Sequence, residues 1–294
     1  MKPPSFEFHS PQNLPETLEL LKRYGSDAKI LAGGQSLMPL MNLRLVRPKV
    51  IIDINRIAEL AYINAAAGGG FATGALTRHR ALERSGLVHE QNPLLAAALP
   101  LIGHIQIRNR GTIGGSLAHA DPAAELPALA VLLEAEFVLC RFNGQRVIQA
   151  KDFFQSYWAT ALEPTELLTE IRFSVWNRQC GWAIQEISRR QGDFAMAGVA
   201  TLLMLNGHNT CENARIVLFG VGATPVRIEK AEAALQGTRL HSRDLTEAAR
   251  VVSEGLDPDS DVHASSAYRK EVAGVLTRRA LEAAQQRLVE ANVA

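Results

Sequence analysis

Two glycine-rich loops carry the residue types best suited to bind a cofactor. The first reads AGGQSL at residues 32–37, and the second reads GTIGGSLAH at residues 111–119. In each loop, paired glycines stand beside a hydroxyl residue and next to an apolar run. Unpaired backbone amides at such a turn point toward a common spot, and with a helix dipole they favour an anion such as a pyrophosphate. We therefore expect the two loops to bind one long, doubly charged cofactor.

The side chains beside these glycines add hydrogen-bond donors for phosphate oxygens. They are Gln35, Ser36, Thr112 and Ser116. Because glycine allows close approach of the backbone, we expect Cβ atoms at Gly114 and Gly115 to block a diphosphate. Neither loop matches GxGxxG, and the chain contains no GxxxxGK[ST], so neither a Rossmann site nor a P-loop is predicted. One GG pair alone is typical of a tight turn, and it is the two loops together that favour a binding site.

Other polar residues near these loops have competing explanations. Asp53 ends an apolar strand, where a turn or capping role is favoured over catalysis. His104 and His119 flank the second loop, but no carboxylate partner marks either as a base. For Arg108 and Arg110, contact with phosphate or an acidic partner is as well supported as plain solvent exposure.

Composition excludes several classes of function. Basic and acidic residues number 31 and 30 among 294, which argues against nucleic acid or an anionic membrane as the main partner. The three cysteines lie far apart with no CxxC pair, which argues against a disulfide framework, a zinc site or an iron–sulfur cluster held by this chain. No leader pattern or stretch of membrane-spanning length is present. We expect a cytoplasmic protein.

Short elements are predicted to position the loops. Before and after the first loop the pattern indicates a helix that ends at Gly25, a strand at 29–32, a helical turn from Ser36 and a strand at 50–54. Before the second loop the sequence indicates a hairpin at 61–76, a helix at 78–85 capped by Thr77, and a helix at 94–103. After the loop it indicates a helix that starts at Asp121 and is kinked at Pro127, and then a hairpin at Asn143 and Gly144.

The pattern changes near residue 178. Three apolar segments, AIQEISRR, MAGVATLLML and ARIVLFGVG, predict antiparallel strands, and helices are predicted at 227–236, 243–254 and 266–291. The sequence therefore predicts an α+β protein with domains at 1–177 and 178–294.

Several segments, in the same order along the chain, resemble one known family. They are KILAGGQSLMPLMNLRLVRP at 29–48, IIDINRI at 51–57, IGHIQIRNRGTIGGSLAHADPAAELPA at 102–128, FQSYWATALEPTELLTEIRF at 154–173 and QEISRRQGDFAMAGVA at 185–200. The chain resembles the FAD-binding medium subunit of the xanthine dehydrogenase, or molybdenum hydroxylase, family, and most closely the carbon monoxide dehydrogenase type. This implies a two-lobed FAD-binding domain of the vanillyl-alcohol-oxidase (PCMH) type at 1–177. A smaller C-terminal α+β domain, a three-stranded antiparallel sheet with helices, follows at 178–294.

The resemblance also assigns cofactor contacts. Two segments would wrap the FAD diphosphate and ribityl chain, namely Lys29, Ile30, Leu31, Ala32, Gly33, Gly34, Gln35, Ser36 and Leu37, and Gly111, Thr112, Ile113, Gly114, Gly115 and Ser116. Ile102 would lie near the flavin ring, and Leu168 would pack on the flavin side. Glu125 stands where many relatives have aspartate, so its hydrogen bond on the ribityl or adenine side of FAD would be shifted by one methylene. Gln185 stands where some have lysine, so it offers a hydrogen bond in place of a charge.

The implied function is electron transfer, without covalent catalysis by side chains. In relatives, a large subunit holds a molybdenum–pterin cofactor, and a small subunit with two [2Fe–2S] clusters passes electrons to FAD, which delivers them to an external acceptor. A dimer of heterotrimers is implied as the assembly. Two alternatives stay open, a stand-alone flavoprotein oxidase and a flavin-free scaffold subunit. The substrate and the acceptor are not predicted.

Overall fold

The computed structural model describes residues 2–175 and 180–291. Within those ranges, no helix combines the length and the apolar character needed to cross a bilayer. The predicted domain boundary between 177 and 178 lies outside the described residues.

The first lobe is a small parallel sheet covered by one helix. Its strands run in the order β1-β3-β2, and its elements are β1 (Glu7–His9), α1 (Leu14–Tyr24), β2 (Ala28–Leu31), α2 (Leu37–Asn42) and β3 (Val50–Asp53). Asn13 caps α1 by accepting a hydrogen bond from the Glu16 amide at 2.9 Å. Gly25 ends the helix with a φ of 47°, which confirms the predicted stop.

The second lobe is a five-stranded antiparallel sheet in the order β4-β5-β10-β6-β7. Its strands are β4 (Ile63–Ala65), β5 (Phe71–Gly74), β6 (Glu136–Arg141), β7 (Gly144–Gln149) and β10 (Leu167–Phe173), and a separate two-stranded ribbon is formed by β8 (Phe154–Ser156) and β9 (Ala159–Thr160). Its helices are α3 (His79–Arg84), α4 (Gly86–Gln91), α5 (Pro93–Ala98), α6 (Ile105–Arg110), α7 (Ile113–His119), α8 (Glu125–Leu132) and α9 (Ala150–Phe153). The two lobes together form the α+β arrangement expected for residues 1–177.

Four local predictions in this lobe are wrong. The predicted helix 94–103 stops at Ala98, continues only as a 3₁₀ turn at Leu99–Leu101, and breaks before Gly103, which has a φ of 52°. Thr77 does not cap α3, because its hydroxyl donates to the Tyr62 carbonyl at 2.8 Å.

The helix predicted from Asp121 begins later, at Glu125. Ala124 is still extended, with φ −83° and ψ 146°, and Asp121 accepts a hydrogen bond from the Ala123 amide at 2.9 Å in a local turn. Pro127 then falls in the first turn of α8, where a proline removes no intrahelical hydrogen bond. The proline therefore fits the helix start, and the predicted kink is wrong.

The C-terminal domain is an antiparallel sheet covered by helices. Its strands are β11 (Cys180–Ile187), β12 (Ala197–Leu205), β13 (Cys211–Phe219) and β14 (Val226–Arg227), and its helices are α10 (Glu229–Leu235), α11 (Ser242–Gly255) and α12 (Ser266–Ala291). The three predicted strands are confirmed, and the two-residue β14 adds a fourth. Helix α12 lies close on β11, because a Cβ atom at Gly181 would stand 2.0 Å from the Ala284 carbonyl oxygen.

The C-terminal sheet also packs on the first domain. Val217 and Phe219 belong to the same apolar core as Leu129 of α8. The Gly220 amide donates to the Pro122 carbonyl at 2.8 Å, and Arg215 donates to the Leu132 carbonyl at 3.0 Å. The sheet is thus held between its own helices and α8, next to the end of the second glycine loop.

Candidate cofactor site

The first glycine loop presents free backbone amides at the start of α2. Gly34 has a φ of 72°, a left-handed conformation that glycine adopts without strain. Among the described residues, no partner exists for the amides of Gly34, Gln35, Ser36 and Leu37. The Ser36 side chain makes no capping hydrogen bond, and Gln35 donates to the Gly33 carbonyl at 3.0 Å. Four amides and a hydroxyl therefore remain available to an anion, as the loop pattern predicts.

Residues just before this loop have a different role. Lys29, Ile30 and Leu31 lie in β2, where they are in register with Ile51, Ile52 and Asp53 of β3. Lys29 is exposed and Ile30 packs against the core of the first lobe. The strand pairing fixes the point from which Ala32 and the glycines leave the sheet.

The second glycine loop is built differently, because its amides are mostly bonded within the protein. Ile113 donates to the Thr77 carbonyl at 3.1 Å and Gly114 donates to the Ala75 carbonyl at 2.9 Å. Gly115 donates to the Thr112 hydroxyl at 3.0 Å, which caps α7. In the part of the chain that the structure describes, the amide of Thr112 and the hydroxyl of Ser116 have no partner. This loop therefore offers an anion fewer donors than the first.

The expectation for Gly114 needs correction. A Cβ atom there would lie 2.4 Å from the Ala75 Cβ and 2.7 Å from its carbonyl oxygen. At Gly115 it would lie 2.6 Å from the Thr112 hydroxyl. Both glycines are required by packing inside the protein, so side chains introduced at these positions would disturb the fold before they met a cofactor.

The two loops touch each other at Gly33. A Cβ atom on this buried residue would lie 2.5 Å from the Arg110 carbonyl oxygen and 2.8 Å from the Gly111 Cα. Thus Gly33 and Gly111 bring two segments far apart in sequence into one site, as the two-loop interpretation requires.

Two residues that the sequence analysis did not assign to the site connect the loops. Asn55 donates from Nδ2 to the Ala32 carbonyl at 2.8 Å, and its Oδ1 accepts from Arg78 Nη2 at 2.6 Å. Arg78 also donates from Nη1 to the Arg110 carbonyl at 2.5 Å. No local sequence pattern pairs residue 55 with residue 78, although Asn55 follows Asp53 in a turn that is recognisable in sequence.

The remaining assigned residues surround the loops at different depths. Ile102 is half-buried after the 3₁₀ turn, and its carbonyl accepts from Arg108 at 3.1 Å. Leu168 is only 3% exposed, in the same apolar core as Ile113. Gln185 is half-buried in β11, opposite Val199.

Glu125 is buried at the start of α8 and interacts electrostatically with Glu186 of β11. Burial first, and then the Glu186 charge, raise the pKa of Glu125 to about 8. Burial raises the pKa of Glu186 to about 7, and one of its carboxyl oxygens has no partner among the described residues. The pair therefore holds protons near neutral pH, and the structure brings Glu125 near β11, which also carries Gln185.

The four histidine and arginine candidates lie in different surroundings. Arg108 pairs with Glu83 at 3.0 Å and donates to the Ile102 and Gly103 carbonyls, so its guanidinium is engaged within the protein. Burial lowers the pKa of His119, and the nearest carboxylate, Asp121, is 4.0 Å away. His104 and Arg110 are exposed beside the loops.

His79, which the sequence analysis did not identify, is buried behind Gly111. Burial lowers the pKa of His79 to about 4, so its ring is neutral at physiological pH. The His79 amide donates to the Gly111 carbonyl at 3.0 Å. Through this bond the start of α3 holds the second loop in place.

The arrangement can bind an anionic, dinucleotide-like cofactor. Free amides lie next to a left-handed glycine, close glycine packing joins the loops, and hydroxyls stand on both segments. Across residues 2–175 and 180–291, no cluster of histidine, cysteine or carboxylate side chains could hold a metal ion.

Two family models match the chain. The family described as the FAD binding domain in molybdopterin dehydrogenase matches residues 4–176, and the CO dehydrogenase flavoprotein C-terminal domain matches residues 182–284.

Curated relatives and solved structures match over nearly full length. The 6-hydroxypseudooxynicotine dehydrogenase complex subunit alpha of Paenarthrobacter nicotinovorans is 42% identical over 98% of this chain and 97% of its own. The carbon monoxide dehydrogenase medium chain of Hydrogenophaga pseudoflava is 41% identical over 98% and 99%. A solved carbon monoxide dehydrogenase from the same organism, lacking the Mo-pyranopterin moiety of its molybdenum cofactor, superposes with a TM-score of 0.94 at 41% identity, over 98% of this chain and 99% of its own.

Proposed function

The chain belongs to the FAD-binding subunits of the molybdopterin dehydrogenases, and from this membership we propose how its loops, domains and partners serve that function. It is the FAD-binding subunit of a multi-subunit oxidoreductase of the molybdenum hydroxylase type. The observation that carries this conclusion is the match of both family models, in order, along a chain whose first loop leaves its amides free.

The residues that would hold FAD divide into donors and positioning groups. The amides from Gly34 to Leu37 and the Ser116 hydroxyl are the proposed contacts of the diphosphate and ribityl chain. Lys29 to Ala32 and the second loop, Gly111 to Gly115, act mainly by shaping the groove.

Toward the flavin end, the proposed contacts come from several elements. Ile102 provides an apolar contact and Gln185 a hydrogen bond from the second domain, whereas Glu125 of the first domain provides its hydrogen bond on the ribityl or adenine side. Leu168, in the apolar core against which Ile102 packs, is proposed to pack on the flavin side. When bound, FAD supplies reversible redox chemistry in steps of one or two electrons.

The protein's own contribution is to position the cofactor and to control charge around it. Glu125 and Glu186, whose pKa values are raised to about 8 and about 7, hold protons at the domain interface near neutral pH. A neutral carboxyl at Glu125 can donate a hydrogen bond to an acceptor, which an ionised carboxylate cannot do. We propose that Glu125 acts as such a donor.

The chain works in a complex with other subunits. Its relatives are named as chains of complexes, among them a subunit alpha and a medium chain. We propose a large subunit with a molybdenum–pterin cofactor and a small subunit with two [2Fe–2S] clusters, arranged as a dimer of heterotrimers. In this complex electrons pass from the clusters to FAD and then to an external acceptor.

We also propose two domains, 1–177 and 178–294, and a cytoplasmic location. The ranges of the two family matches, 4–176 and 182–284, support the division. The three cysteines are free, and two of them are buried, which supports a reducing compartment.

The test uses the complex isolated from its source, with FAD removed and restored. We expect the dithionite-reduced complex to be reoxidised by a soluble quinone quickly with FAD and slowly without it, while iron and molybdenum contents stay unchanged. Restoration by FAD but not by FMN is the expected control. Equal reoxidation rates in the two forms would overturn the proposed electron path.

A further inference from the structure

The contact between the glycine loops is supported by a short hydrogen-bonded chain. It runs from the Ala32 carbonyl of the first loop through the side chains of Asn55 and Arg78 to the Arg110 carbonyl of the second. Its three bonds measure 2.8, 2.6 and 2.5 Å. We call the Asn55 and Arg78 side chains the loop clamp.

The orientation of the Asn55 side chain follows from its neighbours. Its Nδ2 group donates to the Ala32 carbonyl and, at 2.5 Å, to the Asp53 carboxylate, while its Oδ1 accepts from the Arg78 guanidinium. A flipped amide would set Oδ1 against two oxygens and Nδ2 against a donor, so only one orientation satisfies all three contacts. The clamp therefore has a single geometry.

Arg78 is also fixed at its own backbone. It precedes α3 and forms a bridge with Thr112, while the neighbouring Thr77 and His79 bond to Ile113 and Gly111. The guanidinium is therefore anchored on a segment hydrogen-bonded to the second loop, and it reaches across to Asn55 on the segment that follows β3. This is a connection between the two lobes of the FAD-binding domain.

We propose that Asn55 and Arg78 are positioning residues that hold the two glycine loops at the spacing FAD requires. The proposal rests on the proposed FAD function of the loops. The free amides from Gly34 to Leu37 begin two residues after Ala32, and the Ser116 hydroxyl lies six residues after Arg110. Because the loop clamp holds the Ala32 and Arg110 carbonyls at a fixed separation, it aligns the free amides of the first loop with the Ser116 hydroxyl before FAD binds. A site aligned in advance binds more tightly, because less ordering is required on binding.

The experiment compares FAD affinity and apoprotein stability in full-length variants. Asn55→Leu and Arg78→Met each break the clamp, and we expect each to weaken FAD binding by about 10- to 100-fold, the effect of losing hydrogen bonds to a charged group. Because either change breaks the same chain, the double variant should bind FAD no more than about threefold more weakly than the weaker single variant. Arg80→Met is the matched control, since Arg80 lies on α3 and its ion pair, within the described part of the chain, is with Glu83 at 2.6 Å.

A chemical rescue separates positioning from general stability. Guanidinium ion at low millimolar concentration should restore FAD affinity to Arg78→Ala but not to Asn55→Leu, because only the first variant leaves a cavity of guanidinium shape. If the Asn55 and Arg78 variants unfold at a lower temperature but bind FAD with wild-type affinity, the proposal that these residues position the loops for FAD is overturned. If the wild-type chain takes up no FAD, the proposed function itself fails and the clamp fails with it.

Discussion

Gly33 is the position where a single methyl group should act most directly on the cofactor site. Its φ lies outside the left-handed region, so alanine causes no backbone strain, but its Cβ would stand 2.5 Å from the Arg110 carbonyl oxygen. Moving that contact from 2.5 to 3.4 Å, the start of ordinary van der Waals distance, requires one loop to retreat by about 0.9 Å. The retreat would stretch the hydrogen bonds from Asn55 and Arg78 that join the loops.

The cost of such crowding is about 1–3 kcal/mol. If Gly33→Ala relieves it by separating the loops, this energy is lost from cofactor binding and the FAD dissociation constant rises by roughly 5- to 150-fold. Titration of apoprotein with FAD measures the change in affinity, and the melting temperature without FAD should also fall, because the crowding and the stretched hydrogen bonds strain the apoprotein itself. Gly86→Ala is the control, since nothing lies within 4 Å of a Cβ there. A Gly33→Ala variant that binds FAD within twofold of wild type would refute the reasoning.

Three further predictions concern stability and pH. Gly114→Ala should lower the free energy of unfolding by about 1–3 kcal/mol in urea titrations, with or without FAD, because the methyl group meets the Ala75 backbone at 2.7 Å. Glu125→Gln should flatten the pH dependence of the melting temperature between about pH 4.5 and 8, because burial raises the folded-state pKa of Glu125 to about 8 from 4.5. Arg146→Gln should cost about 1–3 kcal/mol of unfolding free energy, because it leaves the buried Glu166 carboxylate without its 2.7 Å partner.

The sign of the pH effect follows from proton binding. Folded wild-type protein keeps a proton on Glu125 that the unfolded chain releases above about pH 4.5, so rising pH destabilises the wild type through this group until about pH 8. Some slope should remain in Glu125→Gln, because burial raises the pKa of Glu186 to about 7. If the melting temperature of Glu125→Gln changed with pH as steeply as that of the wild type, the raised pKa of Glu125 would be contradicted.

The Arg146→Gln prediction has a matched control, and the Gly114→Ala prediction has a distinct contradicting outcome. Arg278→Gln breaks an exposed ion pair with Glu282 on α12, and it should cost no more than about 0.5 kcal/mol. An equal loss of unfolding free energy in Arg146→Gln and Arg278→Gln would show that burial of Glu166 does not increase the contribution of its ion pair to stability. If Gly114→Ala unfolds like wild type but loses FAD, the loop blocks the cofactor as the sequence alone suggested.

Features with local signals were predictable from the sequence. The stop of α1 at Gly25, the strand before the first loop and the hairpin at Asn143 and Gly144 were each specified by residues within a few positions. The helix break at Gly103 was missed because the apolar spacing through Leu101 continues to fit a helix, and only the backbone shows the left-handed glycine.

The internal structure of the site depended on contacts distant in sequence. Gly114 packs on Ala75, and Asn55 bonds to Arg78, but neither pair lies within one element. The sequence indicated two glycine loops without revealing that the first presents free amides while the second is bonded to the segment from Ala75 to His79. That difference arises from tertiary packing, which periodicity and turn patterns do not encode.

The most direct test of the central claim is the visible spectrum of the protein purified gently from its source, with the flavin released and identified and the co-purifying chains counted. We predict FAD at one per chain, together with iron–sulfur absorbance carried by the partner chains. Flavin without partner chains would contradict the assignment in favour of a stand-alone oxidase. Absence of flavin from an intact complex would leave a scaffold subunit and overturn the account.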